Sequence, residues 1–243
     1  MKVDGELVGK WLGWAKSNML GDPIERDSLY YGYRIGVVAG KDTIWGTSSY
    51  MAVPNKIEIS SFEELQKIGN DIAYPLTANY ELIKDIDASG SNFKPIGDGV
   101  HAFSGMFDGK NHTISNLTID EPNRDFTDMF GYTEYARVMN LTLKNAKVTG
   151  SWNVGALAGE TDNSVVTNVV SLNGDVLGTS FVGGLIGLAR SSNLNVVGTM
   201  GSVRGNDIVG GLIGGSASVV QDAFSVNVVK GYESVGGSHG GGE

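Results

Sequence analysis

Four valines, Val154, Val182, Val209 and Val235, are each followed by glycine and recur at intervals of 28, 27 and 26 residues. Four further columns keep step with them. Gly150, Gly178, Gly205 and Gly231 lie four residues before the valines, and Gly159, Gly187, Gly214 and Gly240 lie five after. Val148, Val176, Val203 and Val229 lie six before, and the amides Asn140, Asn168, Asn195 and Gln221 fourteen before. Self-similarity at a period of about 20–50 residues marks a chain in which one supersecondary unit stacks on the next, because no single unit can bury its own apolar face. An earlier, weaker copy has Phe126 in the valine place and Gly131 five residues on.

The residue types choose among the stacked architectures. Pairs such as Val169-Val170 and Val196-Val197 favour pleated strands, and glycines punctuate every run. No helical half-repeat and no leucine-rich consensus is visible. The expected fold is therefore all-β: a right-handed parallel β-helix whose coils stack about 4.8 Å apart. The amide column is expected to form a structural ladder along it. Ser60-Ser61-Phe62-Glu63-Glu64 carries a capping-box pattern, with Phe62, Leu65 and Ile68 on one face and Gly69 behind. This predicts a short amphipathic helix that caps the first coil.

Three segments follow: 1–55, without repeats; 56–125, the capping helix and lead-in coils; and 126–243, the repeats. Three of the four tryptophans fall in the first segment. Trp11, Trp14, Tyr30, Tyr31 and Trp45 are its candidate attachment residues, either docking the chain onto other subunits of an assembly or forming a small local core.

Composition then excludes whole classes of function. A formal charge of −9 disfavours nucleic acid and anionic membranes. With no cysteine in the chain there is no disulfide, thiolate nucleophile or cysteine-based zinc site. His101, His112 and His239 stand apart, so the HExxH zinc motif is missing. No apolar run is long enough to span a membrane and no signal peptide is visible. No cofactor is expected.

Val182-Gly183-Gly184-Leu185-Ile186-Gly187 and Val209-Gly210-Gly211-Leu212-Ile213-Gly214 resemble the GLUG repeats of bacterial surface proteins, with Val154-Gly155-Ala156-Leu157-Ala158-Gly159 a looser copy. Phe103–Ile119 and Tyr80–Ser89 are similar to the lead-in such proteins carry, so the resemblance runs from Ile57 to Gly237. It implies a non-catalytic β-helix module of surface adhesins, of immunoglobulin A proteases or of phage tail proteins. It implies no catalytic residue.

Asp85, Asp87, Asp98 and Asp108 are close enough in sequence to be calcium candidates. The competing reading makes Asp108-Gly109 a turn and lets Asp85 and Asp87 point alternately from a strand. Polysaccharide-degrading β-helix enzymes gather aspartates beside an Arg or Lys. Here Glu160, Asp162, Asp175, Asp207, Asp222 and Glu233 fall at non-equivalent repeat positions, and Arg190 and Arg204 add little local positive charge. The expected function is therefore non-enzymatic adhesion or receptor binding, to a host-surface glycan or protein, at a cell surface or on a virion. A polysaccharide-degrading enzyme and a purely architectural spacer are the alternatives.

Overall fold

The computed structural model divides into two compact units, Met1–Lys56 and Ile57–Glu243. It describes residues 56–241, without the side chains of 239 and 241, and before them only the backbone strands Glu6–Ala15, Tyr30–Ala39, Asp42–Trp45 and Ser49–Ala52. In the first unit Tyr30–Ala39 pairs antiparallel with each of the other three strands. Trp11, Trp14, Tyr30, Tyr31 and Trp45 lie on these strands, and their side chains lie outside the described residues.

The second unit is a parallel β-solenoid of about six turns. Its strands pair at the period of the repeat. Trp152–Val154, Ser180–Gly183, Asp207–Gly210 and Glu233–Gly236 form a parallel sheet in that order, the anchor wall. A second wall starts with Phe130–Glu134 and Ala158–Asp162 and continues through the first residues of Ile186–Arg204 and Ile213–Lys230. The third wall stacks Met106–Ser115, Arg137–Lys144 and Val165–Leu177 beneath the later parts of those two long strands.

Long strands turn corners through residues in the left-handed region, which L-residues other than glycine and asparagine rarely occupy. One corner column on the anchor wall is Phe126, Asn153, Phe181, Ile208 and Ser234, with φ between 49° and 57°. A second, on the third wall, contains Asn140, Asn168, Val196 and Asp222. A third contains Asn116, Asn145, Asn173 and Gly201. The asparagines are thus placed by backbone conformation, and their amides then bond between coils.

This corrects the amide ladder in its second half. Asn168 Nδ2 donates to Asn140 Oδ1 at 3.0 Å, and Asn140 Nδ2 donates to Asp108 Oδ1 at 3.0 Å. Asn195, however, pairs with Thr167, and Gln221 pairs with Asn195. The corner place of Asn168 passes to Val196. The cause is a one-residue deletion: Leu172 pairs with Met200 but Gly174 with Gly201. Counting fourteen back from Val209 crosses that deletion and overshoots the corner by one residue. A serine ladder is more regular. The backbone N–H groups of Ala136, Ser164 and Ser192 donate to the hydroxyls of Ser164, Ser192 and Ser218 at 3.0–3.1 Å, while Ser164 and Ser192 Oγ donate to the carbonyls of Asp162 and Arg190 at 2.8 Å.

The anchor column also shifts by one residue in its earliest coil. A methyl group on Gly178 would come within 2.7 Å of Val182 Cγ2 and 2.9 Å of Val154 Cγ2, so this glycine lies between the anchors of two coils. Gly150 lies in the same way between Val154 and the Thr127 side chain. Thr127 is therefore the anchor, and Phe126, with φ of 57°, is the corner residue before it.

The capping helix is present at Phe62–Lys67. Ser61 Oγ accepts from Glu64 N at 3.2 Å, and Glu64 Oε2 accepts from Ser60 N at 2.7 Å. Leu65 and Ile68 are fully buried and join Ile59, Tyr80 and Phe93 in one apolar core that runs on to Ile213. The helix closes that core at its amino-terminal end, removing a strand edge that would otherwise pair indiscriminately.

Two substitutions test the corners and ladders by urea unfolding. Val196→Asn replaces a β-branched residue in a left-handed corner and is expected to stabilise the chain by about 1 kcal/mol; a loss of stability would contradict the corner assignment. Ser192→Ala strands the buried N–H of Ser164 and is expected to cost about 1–3 kcal/mol. No measurable cost would remove the serine ladder from the account.

Candidate functional site

The second wall carries one place where charged, amide and aromatic side chains from three coils meet. Its floor is Asn153 and Glu160. Asn153 stands in the left-handed corner column and Glu160 on the adjoining wall strand. Asn153 Nδ2 donates to Glu160 Oε2 at 3.0 Å, and both residues are only 8% exposed. Arg190, one coil on and pairing with Asp162, brings its Nε to 3.4 Å from Glu160 Oε1 while its side chain stays 57% exposed.

Larger residues of the neighbouring coils rise on either side of this floor. Tyr132 pairs with Glu160 from the preceding coil, and Leu188 pairs with it from the following one. Phe126 packs against Tyr132 with ring centroids 6.4 Å apart. On the opposite side Phe181 packs against Trp152 at 6.2 Å. Phe181 and Leu188 share the space left open at Gly215, where an added methyl would meet Phe181 Cδ1 at 2.8 Å and Leu188 Cδ1 at 3.1 Å. Phe126 and Phe181 stand two coils apart in one column, or roughly 10 Å at the spacing of paired strands. The result is a cluster drawn from three coils, with a buried Asn153–Glu160 pair at its centre and partly exposed aromatic side chains around it.

Burial raises the pKa of Glu160; the Arg190 guanidinium opposes the rise and the Asp162 carboxylate adds to it. Burial also raises Tyr132, helped by Glu134, Asp162 and Glu160.

Beneath this cluster lies a second carboxyl group with a different role. Asp128 is fully buried; the N–H of Gly155 donates to its Oδ1, and no protein group reaches its Oδ2. Burial without a counter-charge raises its pKa well above the ordinary carboxylate value. Such a group stabilises the fold fully below its unfolded pKa and withdraws that stability as pH rises through its folded value. Asp128→Asn keeps the acceptor for Gly155 and cannot ionise. Thermal unfolding is expected to show the variant melting above the parent at about pH 8 and the gap closing toward about pH 4. A variant that melts lower at pH 8 would show that Asp128 is held as an anion.

The four aspartates offered as calcium ligands do not converge. Asp85 accepts from Thr113 N at 2.9 Å and lies 3.0 Å from His112 Nδ1. Asp87 accepts from Asn116 Nδ2 at 2.9 Å and from Ser89 N at 3.1 Å. Asp98 accepts from Val100 N and His101 N at 2.9 and 2.8 Å. Asp108 accepts from Lys110 N at 2.9 Å, besides its bond from Asn140. Asp98 is spent on its own turn and Asp85, Asp87 and Asp108 on hydrogen bonds that reach the next coil, and among the described residues no three His, Asp or Glu side chains gather as metal ligands. Hydrogen bonds hold the first three below their ordinary pKa, led by the Thr113 N–H for Asp85, the Asn116 amide for Asp87 and the Val100 N–H for Asp98.

The coil register corrects the reading of Arg190 as adding little local positive charge beside the carboxylates. Glu160 and Arg190 occupy different places in the repeat, yet the coil register sets Arg190 beside Asp162 and within reach of Glu160. Arg204 likewise meets Asp175, at 2.7 Å.

No family model matches the chain. A 143-residue stretch is 44% identical to part of a halomucin of Haloquadratum walsbyi, covering 54% of this chain and 2% of that protein. A stretch of 152 residues is 28% identical to part of an immunoglobulin A1 protease of Streptococcus sanguinis, covering 60% of this chain and 8% of that protein. The chain thus spans under a tenth of the length of either relative. A crystal structure of a Bacteroides ovatus protein assigned as an immunoglobulin A1 protease overlays with a TM-score of 0.46 at 16% identity, over 74% of this chain and 67% of that one. Relatedness to regions of immunoglobulin A1 proteases and a β-solenoid fold both accord with the GLUG resemblance.

Proposed function

We propose that the chain is a non-enzymatic module of a secreted or surface-exposed protein, which binds a host-surface glycan or protein through the side of its solenoid. The observation that carries this reading is the cluster of aromatic and charged side chains around Asn153 and Glu160. There aromatic side chains stay partly exposed beside a polar floor, whereas the repeating positions elsewhere serve backbone geometry. Conserving the stack while varying the side chains displayed on it is how solenoids usually build binding surfaces. Relatives of secreted or cell-surface type support the setting, and no helix among the described residues is long and apolar enough to cross a membrane.

The non-enzymatic part of the proposal draws on two facts. The matched stretches are small fractions of the proteases, and the aspartates are committed one by one to turns or to hydrogen bonds between coils. In the same reading the aromatic strands before residue 56 attach the solenoid to other subunits, on a cell or on a virion, through Trp11, Trp14, Tyr30, Tyr31 and Trp45.

Fluorescently labelled full-length chain, applied to a glycan array and to mammalian epithelial cells, is expected to bind saturably and to be displaced by unlabelled chain. Absence of displaceable binding on both surfaces would sink the proposal. Shortening of any polysaccharide in a panel incubated with the chain would instead establish the enzyme alternative.

A further inference from the structure

We infer that Asn111, in an expanded turn of the third wall, is the acceptor of an N-linked glycan. The inference needs a chain that meets a glycosyl donor during export, so it rests on the secreted or surface-exposed setting proposed above and not on ligand binding.

Three Asn-x-Thr triplets occur: Asn111-His112-Thr113, Asn116-Leu117-Thr118 and Asn140-Leu141-Thr142. Asn-x-Ser/Thr is the triplet that N-glycosylating enzymes accept on the surface of exported proteins, and on sequence the three are equal. The fold separates them. Asn140 Nδ2 donates to Asp108 Oδ1 at 3.0 Å while its Oδ1 accepts from Asn168 Nδ2 at 3.0 Å. Asn116 Nδ2 donates to Asp87 Oδ1 at 2.9 Å while its Oδ1 accepts from Asn145 Nδ2 at 3.2 Å. Both are partly buried links between the coil before and the coil after. Asn111 is exposed; its Oδ1 accepts from Asn168 Nδ2 at 3.1 Å, and among the described residues its Nδ2 donates to no protein group.

The backbone explains the difference. Met139 pairs with Asp108 and Leu141 with His112, so Gly109, Lys110 and Asn111 together oppose Asn140. One coil on, Asn140 alone opposes Asn168. The extra residues are taken up by Lys110 and Asn111 in the left-handed region, with φ of 51° and 63° and both side chains exposed. Thr113, whose backbone N–H donates to Asp85, keeps its hydroxyl free of protein partners among the described residues, and that hydroxyl is the group a transferase reads.

The donor is a saccharide linked through phosphate to a polyprenyl lipid. Asn111 Nδ2 attacks its anomeric carbon; a C–N bond forms and the C–O bond to phosphate breaks. The lipid phosphate leaves with the electron pair, and the amide proton passes to a base of the transferase. Nothing is oxidised or reduced. Oδ1 is untouched, so the hydrogen bond from Asn168 survives. At Asn116 and Asn140 the nitrogen must first leave the carboxylate it donates to.

The test incubates the folded full-length chain with a single-subunit oligosaccharyltransferase and its lipid-linked glycan, with urea-denatured chain alongside. Intact-mass spectrometry counts the glycans, and fragmentation after peptide N-glycosidase treatment in heavy-oxygen water locates them. Folded chain is expected to carry one glycan, at Asn111, with transfer to Asn116 and Asn140 slower by about tenfold or more because each must break its bonds to neighbouring coils. Asn111→Gln and Thr113→Val are each expected to abolish that glycan in chains that melt like the parent, and Thr113→Ser to retain it. Folded chain that stays unmodified, whatever the denatured chain does, would overturn the inference. So would modification of Asn116 or Asn140 as fast as Asn111. Either result would leave the surface-binding proposal standing, since that is read from displaceable binding of unglycosylated chain.

Discussion

Successive coils can lie one strand spacing apart only because nothing larger than hydrogen stands at Gly150, Gly178, Gly205 and Gly231. Each of these glycines lies against the anchor side chain of its own coil and that of the coil before, with no space for a methyl group. The glycines five residues after each anchor obey a related limit: a methyl on Gly187 would come within 2.5 Å of the Val154 backbone nitrogen. From this close approach follow the parallel pairing of every wall, the burial of Val154, Val182 and Val209 and the inter-coil ladders. A side chain at these glycines would force the coils apart and break backbone hydrogen bonds on both sides.

That constraint explains why the fold could be read from the chain and why some of its details could not. Glycine and valine at fixed offsets record a backbone requirement that every coil must meet, so Val154, Val182, Val209 and Val235 announce the solenoid directly. The corner columns do not demand one residue type. Asparagine occupies several, but Val196, Ile208 and Phe181 hold equivalent left-handed places where the surrounding sheet overrides local preference. Phe126 is apolar and stands five before Gly131, and so imitates an anchor while serving as a corner. Counting offsets also fails across deletions, and so Asn195 and Gln221 were grouped with Asn140 and Asn168. The serine ladder had a signal, since Ser164, Ser192 and Ser218 recur at 28 and 26 residues, but it lay outside the columns tied to the valines.

The cluster around Asn153 and Glu160 was hidden for a different reason. None of its residues repeats. Asn153, Glu160, Phe126, Tyr132, Phe181 and Arg190 belong to three coils and become neighbours only through the register that the repeat imposes. A solenoid thus separates two kinds of information: recurring residues maintain the stack, and singular residues at equivalent heights define a surface. The buried Asp128 belongs to the first kind in position and departs from it in chemistry. It bonds the Gly155 backbone while carrying a carboxyl group whose pKa burial raises well above the ordinary carboxylate value.

The register is the claim on which the ladders, the anchor column and the Asn153–Glu160 cluster all rest, and the absence of native cysteine makes it directly measurable. Two double-cysteine variants suffice under mild oxidation, because a disulfide forms only between α-carbons about 4.4–6.8 Å apart with suitably directed side chains. Thr167 and Asn195 are paired neighbours on adjacent coils, whereas Asn168 lies opposite Val196. The account expects Thr167→Cys with Asn195→Cys to cross-link rapidly and Asn168→Cys with Asn195→Cys to remain reduced. Rapid cross-linking of the second pair and not the first would contradict the register.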